Sequence, residues 1–138
     1  WARKRLAEGD HIQLAAEALL DQLEPKGSWR YVRGCAGFAG FARNSITPAR
    51  VVEVSRQMGR LLGPRWAQWG TEQFTSNLLV ASSEGGRVLP HPQYCAPHHR
   101  RADSAFFHFI GYVRFSNGLY ARTASRVCSE LTEVAHAA

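Results

Sequence analysis

The chain has 138 residues, of which 45% are hydrophobic and 20% are charged. This balance is typical of one globular domain or part of one, and it excludes a disordered chain. No apolar run approaches the roughly 20 residues that a membrane-spanning helix needs, so we expect no membrane span.

The positive charge of the chain is spread along its length rather than collected in runs. There are 17 Lys and Arg residues against 11 Asp and Glu residues, which gives a formal net charge of +6. A scattered surplus suits phosphate-bearing ligands or a solvated surface, and the lack of a nucleic-acid motif disfavours nucleic acid as a partner. The odd number of cysteines, 3, argues against a disulfide framework, and we expect free thiols in the reducing cytoplasm.

The first predicted element is a helix over residues 10–23, where apolar side chains recur at helical spacing. Asp10 and Gln13 resemble a capping box at its start. Its apolar face consists of Ile12, Ala15, Ala16, Leu19 and Leu23. A strand over residues 29–32 and a glycine-rich segment, residues 34–41, follow, and the glycines allow close approach of a backbone or a ligand.

A second helix begins at Thr47 and Pro48, which are typical N-cap and first-turn residues. Its predicted buried face consists of Val51, Val54, Met58, Leu61 and Leu62. A third helix covers residues 71–81. An edge strand or an ordered loop over residues 87–94 comes next, because its prolines suit neither a helix nor a central strand.

The last two elements are a strand over residues 105–110, apolar enough to be buried on both faces, and a helix over residues 116–134. The apolar face of that helix consists of Tyr120, Ala124, Val127, Leu131 and Val134. Trp66 and Trp69 are close enough in sequence for us to expect a shared core face. Helices that alternate with short strands predict an α/β fold. So few strands would leave sheet edges uncovered, and we therefore expect that part of the domain lies upstream.

His108 is the first candidate functional residue, because it lies near the carboxyl end of the predicted strand over residues 105–110. In open α/β sheets, ligands bind beyond the carboxyl ends of the strands. A neutral imidazole there can bind a metal through one nitrogen while a hydrogen bond holds the other. The alternative is a hydrogen-bonded core histidine, and the sequence pattern leaves both interpretations open.

Glu72, Gln73 and Asn77 form the second candidate group, at the start of the predicted third helix. Glu72 has a structural explanation, because an acidic side chain complements the positive end of a helix. The functional interpretation is that a carboxylate and amides grip sugar hydroxyls, with Gln73 and Asn77 on one helix face. The residues alone do not decide between the two.

A zinc site is the remaining possibility, at Cys95, His98 and His99. A fourth ligand is not evident, and the chain has no paired Cys-x-x-C motif. We therefore interpret residues 98–101 as a polar loop, or as a lid that meets phosphate.

Four segments, taken in chain order, resemble the C-terminal landmarks of GT-A-type glycosyltransferases, in the glycogenin and bacterial galactosyltransferase group. Residues 34–41 resemble the strand and loop that follow the metal-binding aspartates. Residues 69–77 resemble an Asp-Gln-x-x-x-Asn helix start, with Glu in place of Asp. Residues 89–95 resemble a Leu-Pro segment that ends in Tyr/Trp-Asn, with Cys in place of Asn. Residues 108–115 resemble His-Phe-x-Gly-x-x-Lys-Pro-Trp, with Arg114 in place of Lys and no proline.

The resemblance implies an incomplete GT-A-like α/β fold, in which residues 1–138 are a single partial domain. The nucleotide-binding half, with the Asp-x-Asp metal motif that this chain lacks, would precede it. The implied activity is transfer of a sugar from a nucleoside-diphosphate-sugar donor to an unknown acceptor, assisted by Mn²⁺ or Mg²⁺. His108 would coordinate the metal, and Glu72 and Gln73 would contact the reacting sugars as catalytic residues. The substrate-binding residues would be Gly37, Asn77, Gly111 and Arg114.

Two other functions stay open on the sequence. The first is a non-catalytic basic α/β module that binds phosphorylated ligands or nucleic acid through its surplus arginines. The second is a structural or partner-binding domain, in which the aromatic side chains simply pack.

Overall fold

The computed structural model describes residues 10–34, 39–109 and 111–137. It divides the chain into two compact units, and the first ends at Val88 while the second begins at Leu89. The described part is mostly helical, with one two-stranded parallel sheet, so the fold is mixed α/β in a largely helical form. None of the helices in the described ranges combines the length and the apolar character that a bilayer crossing requires.

The first helix, α1 (Ile12–Glu17), is shorter than the predicted helix over residues 10–23. Its N-cap is His11, whose Nδ1 accepts a hydrogen bond from the backbone N–H two residues later, at 3.1 Å. The predicted capping role of Asp10 is therefore wrong. The Asp10 carboxylate pairs with the Arg65 guanidinium at 2.6 Å instead.

The chain after α1 forms a 3₁₀ turn, Leu20–Gln22, and residues 29–32 form no strand, contrary to prediction. The Ser82 hydroxyl satisfies the backbone of Arg30, because it accepts from the N–H at 2.9 Å and donates to the carbonyl at 3.0 Å. A single side chain thus provides the two hydrogen bonds that a neighbouring strand would have provided.

The second helix, α2 (Pro48–Leu62), begins where the sequence predicts. Thr47 is the N-cap, and its side-chain oxygen accepts from a first-turn backbone N–H at 3.3 Å. Val54 and Met58 are 0% exposed, as expected for the buried face. Val51 is 38% exposed, because the helix begins one turn before the positions that reach the core.

The third helix, α3 (Thr71–Ser82), confirms the prediction for residues 71–81 and carries the centre of the core. The ring of Phe74 stacks on Tyr31 with ring centroids 5.2 Å apart, and it meets the Trp66 ring edge-on at 5.9 Å. The buried cluster of the first unit consists of Ala16, Leu23, Val54, Met58, Phe74, Leu78 and Leu79. In its described part, the first unit therefore consists of three α-helices packed around one apolar cluster, against which the rings of Tyr31 and Trp66 also pack.

Trp69 does not belong to this core, and the predicted shared face with Trp66 is wrong. The Trp69 side chain is 84% exposed, whereas Trp66 packs against the cluster. The 3₁₀ turn that holds Trp66, Gly63–Ala67, ends before Trp69. Because the turn ends between Trp66 and Trp69, their spacing does not place the two side chains on one helix face.

The second unit contains a minimal parallel sheet, in which β1 (Tyr94–Cys95) pairs with β2 (Phe106–Phe107). The prediction of a strand over residues 105–110 that is buried on both faces is wrong, because β2 has two residues and both are half-buried. Ile110 lies outside the described residues. A partner as short as β1 limits how far the pairing can extend.

The last helix, α4 (Leu119–Ala137), confirms the predicted helix with both ends shifted by about one turn. Its predicted buried face is instead exposed, at Tyr120, Val127, Leu131 and Val134. The Tyr120 ring contacts the ring of Phe109, with centroids 5.2 Å apart. Apolar periodicity therefore predicts the helix correctly, but it does not say what covers the apolar face.

Replacing Phe74 with Ala should lower the free energy of unfolding by about 3–5 kcal/mol, because a buried ring is lost and a cavity is left. Urea denaturation of the unmodified chain and the variant measures this difference. Phe115→Ala is the matched control, because Phe115 is 86% exposed, and it should change stability by no more than about 0.5 kcal/mol. Equal losses in the two variants would contradict the core described above.

Candidate functional site

Glu72 lies in the first turn of α3, where its carboxylate caps the helix. The side chain is exposed, and its Oε2 accepts a hydrogen bond from the backbone N–H of Gly70 at 3.0 Å. An anionic group at this end also complements the helix dipole. The structural explanation for Glu72 is thus realised, while the exposed carboxylate remains accessible to a ligand.

Gly70 allows the chain to enter α3 at this angle. Its φ is 110°, which lies in the region that residues with a side chain rarely adopt. A Cβ at this position would lie 2.7 Å from Cε1 of His11. Gly70 therefore permits close packing of the His11 ring, the N-cap of α1, against the start of α3.

Gln73 is half-buried and belongs to a chain of side-chain hydrogen bonds rather than standing alone. Its Nε2 donates to Oε1 of Gln13. Nε2 of Gln13 donates to the hydroxyl of Tyr31 at 3.0 Å, and this hydroxyl donates to Oε1 of Glu17 at 2.8 Å. We call these four side chains the α1–α3 relay, because they connect the two helices through Tyr31.

The relay begins at Glu17, a carboxylate in the core of the first unit that is 1% exposed. Arg33 compensates its charge, because Nε donates to the two carboxylate oxygens at 2.9 and 3.1 Å and Nη2 donates to Oε2. A buried charge is tolerated only when it is paired and hydrogen bonded. Within the described ranges, every buried side-chain nitrogen and oxygen has a hydrogen-bond partner.

Tyr31 has a perturbed hydroxyl. Burial raises the pKa of Tyr31 above its ordinary value of 10.0, and the hydrogen bond and negative charge of Glu17 raise it further, while the Gln13 and Asn77 amides oppose the shift. The phenol therefore keeps its proton, which it donates to Glu17, to a higher pH than an unperturbed tyrosine would.

Asn77 is 7% exposed, and its Nδ2 donates to the backbone carbonyl of Gly34 at 2.9 Å. The contact is close, because a Cβ on Gly34 would lie 3.1 Å from Oδ1 of Asn77. This hydrogen bond attaches the end of the described segment 10–34 to α3. Gly37, which was predicted to bind substrate, lies outside the described residues.

The second unit holds the other predicted site residues, His108, Gly111 and Arg114. His108 follows β2 directly and is half-buried, and its backbone N–H donates to the carbonyl of Cys95 at 2.9 Å. Gly111 has φ 50° and begins a 3₁₀ turn, Gly111–Arg114, which ends at an exposed arginine. The His108 imidazole is therefore not sealed in a hydrocarbon interior.

Metal ligands do not assemble around His108 in the described part of the chain. No group of three His, Cys, Asp or Glu side chains there is arranged to hold a metal ion. This includes the histidines near β1, although the rings of His98 and His99 lie 4.1 Å apart and those of His91 and His99 lie 5.2 Å apart. His108 thus offers one ligand, and the zinc interpretation of Cys95, His98 and His99 gains no support.

Within the first unit, Gln73 and Asn77 share one side of α3, as their spacing predicts, but each donates a hydrogen bond to another part of the protein. The side chains that hold Gln73 were not among the predicted site residues. Two sequence spacings indicate the side chains of this network. Gln13 and Glu17 are four apart on a helix otherwise apolar on that side, and Tyr31 and Arg33 are two apart on a non-helical segment.

A surface cleft of about 560 Å³ also lies in the first unit. Its lining residues are Glu24, Pro25, Ser28, Trp29, Arg50, Glu53 and Gln57. None of the predicted site residues is among them, so the cleft contributes nothing to the candidate site.

Comparison with known proteins identifies no relative. No family model matches the chain, and neither a curated protein nor a solved structure is significantly similar to it. The interpretation of the site therefore depends on its residues and on the ordered motifs of the sequence.

The raised pKa of Tyr31 predicts how stability changes at alkaline pH. Above pH 10 the unfolded chain releases the phenol proton while the folded chain keeps it, so the free energy of unfolding falls as pH rises. One group contributes at most about 1.4 kcal/mol per pH unit, and a partly accessible one contributes less because solvent screens it. Urea denaturation at about pH 8 and about pH 11 measures the fall.

Tyr31→Phe should show a smaller fall than the unmodified chain over this interval. Tyr120→Phe is the control, because Tyr120 is 48% exposed and should leave the fall unchanged. If stability decreased as steeply in Tyr31→Phe as in the unmodified chain, Tyr31 would not be the group responsible.

Proposed function

We propose that this chain is part of a cytoplasmic, metal-assisted glycosyltransferase, and that residues 1–138 form the C-terminal portion of a GT-A-like catalytic domain. The proposed reaction transfers a sugar from a nucleoside-diphosphate-sugar donor to an acceptor. The free thiols of Cys95 and Cys128 are compatible with the reducing compartment proposed.

The observation that carries the proposal is how the four resembling segments meet inside each unit. In the first unit, Asn77 of the second segment is hydrogen bonded to Gly34 of the first. In the second unit, the backbone of His108 in the fourth segment is hydrogen bonded to Cys95 in the third. Segments that share a binding site must lie beside one another, and within each unit the two segments do so.

The described residues do not by themselves form a site for the metal. His108 supplies one imidazole, and no group of three candidate ligands accompanies it in the described ranges. The proposed Mn²⁺ or Mg²⁺ therefore needs ligands beyond the described residues.

The residues of this chain have roles that follow from their chemistry. As the glycosidic bond of the donor breaks, negative charge accumulates on the diphosphate leaving group, and a fixed guanidinium stabilises that charge. Arg114 is exposed at the end of its 3₁₀ turn, and its permanent charge and planar donors suit a diphosphate. We assign binding of the sugar hydroxyls to Glu72 and Gln73 at the start of α3.

Arg114→Ala in the full-length protein that carries this sequence should lower kcat/KM for the donor by roughly 100- to 1,000-fold, because a cation at the developing charge is lost. Arg114→Lys should recover part of the loss, since it keeps the charge but not the planar fork. His108→Ala should raise the Mn²⁺ concentration needed for half-maximal activity. Steady-state transfer rates with a panel of nucleoside-diphosphate sugars, at graded Mn²⁺, measure these effects.

Arg122→Ala is the matched control, because Arg122 is an exposed arginine of α4 that we place outside the site. Unchanged donor kinetics in Arg114→Ala, or an unchanged Mn²⁺ titration in His108→Ala, would remove that residue from the site. Binding of phosphorylated ligands that weakens steeply with salt and ignores Mn²⁺, without any sugar transfer, would favour the basic non-catalytic module.

A further inference from the structure

We propose that Gln13 and Tyr31 are positioning residues that orient the amide of Gln73, so that its carbonyl oxygen Oε1 accepts a hydrogen bond from a hydroxyl of the substrate. The inference depends on the proposed function, because it takes Gln73 as a residue that touches sugar.

The direction of hydrogen-bond donation along the relay is set at its buried end, Glu17. An ion-paired carboxylate has only acceptors, so the Tyr31 hydroxyl, 2.8 Å from Oε1 of Glu17, must donate to it. Burial and the charge of Glu17 raise the pKa of Tyr31, which keeps that proton in place. With its single proton used on Glu17, the Tyr31 oxygen can only accept from the amides beside it, those of Gln13 and Asn77.

The Tyr31 oxygen fixes the orientation of the Gln13 amide. Because the Tyr31 oxygen accepts, the group of Gln13 that faces it at 3.0 Å must be the Nε2 donor. The amide is planar, so its Oε1 takes the other branch and faces Gln73. Gln13 is 6% exposed, and reversing its amide would set its Oε1 against the Tyr31 oxygen, so that two acceptors would face each other in a buried position.

The Gln13 amide in turn fixes the orientation of the Gln73 amide. Only its Nε2 can donate to Oε1 of Gln13, so the carbonyl oxygen of Gln73 occupies the opposite branch of the amide. A carbonyl oxygen has two lone pairs, so it can accept from a ligand hydroxyl alongside any donor of the protein. Gln73 is half-buried, so the residue is not closed off from solvent.

A carbonyl oxygen of Gln73 in this position favours substrate groups that donate a hydrogen bond. An acceptor fixed in position binds a sugar hydroxyl that offers its proton, and it rejects a group that can only accept. A substrate in which fluorine replaces that hydroxyl should therefore be used as poorly as one that lacks the hydroxyl altogether. If Gln73 presented Nε2 instead, the fluoro substrate would be tolerated better than the deoxy substrate.

The orientation is tested without any activity, by ¹H–¹⁵N spectra of the side-chain amides of Gln13 and Gln73 in the full-length protein. Tyr31→Phe removes the acceptor of Gln13 and should shift the amide resonances of both glutamines. Gln13→Met removes the acceptor of Gln73 and serves as the second variant should Tyr31→Phe fail to fold. Tyr120→Phe, in the other unit, should shift neither pair. A Gln73 resonance pair that stays unchanged in both relay variants overturns the proposal.

The role in catalysis is tested by a double-mutant cycle with Gln73→Ala. Tyr31→Phe should lower kcat/KM by roughly 10- to 100-fold, because misplaced contacts cost this much, and by less than about twofold when Gln73 is already Ala. An equal loss in both backgrounds would show that Tyr31 does not act through Gln73 and would overturn the proposal.

A panel of monodeoxy and monofluoro substrates completes the test. At one hydroxyl position, both analogues should lose at least about tenfold in kcat/KM with the unmodified protein, and Gln73→Ala should remove that discrimination. Better use of the fluoro than of the deoxy analogue at that position overturns the acceptor role. Absence of any sugar transfer by the unmodified protein overturns the proposed function and the hydroxyl role together, whereas the amide spectra report on the orientation alone.

Discussion

A charged carboxylate in the core of the first unit is the interaction on which the rest of that unit depends. Glu17 is 1% exposed, and such a group is tolerated only if cations and donors meet it there. Arg33 and Tyr31 supply them. Both lie on the segment that follows the turn after α1, so the pairing folds this segment back on α1. The ring of Tyr31 then stacks on Phe74, which joins the polar cluster to the apolar one.

The same constraint explains why the amides of α3 have defined partners. Gln73 is held through Gln13, and Asn77 is held by the carbonyl of Gly34, so each contributes to the fold whatever else it binds. A structural and a functional role are compatible, because an amide has donors and acceptors to use in different directions. His108 and Arg114 differ, since the described contacts of His108 are those of its backbone and the Arg114 side chain is exposed.

The sequence predicts the helices better than the strands, for a physical reason. Thr47 with Pro48 is a local signal, and α2 begins there, while α3 begins at Thr71 as predicted. A strand depends on a distant partner strand. At Arg30 the Ser82 hydroxyl takes the place of such a partner by accepting from the backbone N–H, and β1 is too short for its pairing with β2 to extend further. The predicted site residues are recognisable from a strand end, a helix start or a motif, whereas Glu17 and Tyr31 are ordinary in sequence and become informative only when the fold brings them together.

The measurement that tests the central claim most directly is the stability of Arg33→Met by urea denaturation at neutral pH. Removing the cation leaves the Glu17 carboxylate buried and uncompensated, so the account predicts a loss of about 3–5 kcal/mol. Arg56→Met removes the partner of Glu53, whose side chain is 42% exposed, and should cost no more than about 1 kcal/mol. If Arg33→Met cost no more than Arg56→Met, the buried ion pair would not be what holds the first unit together.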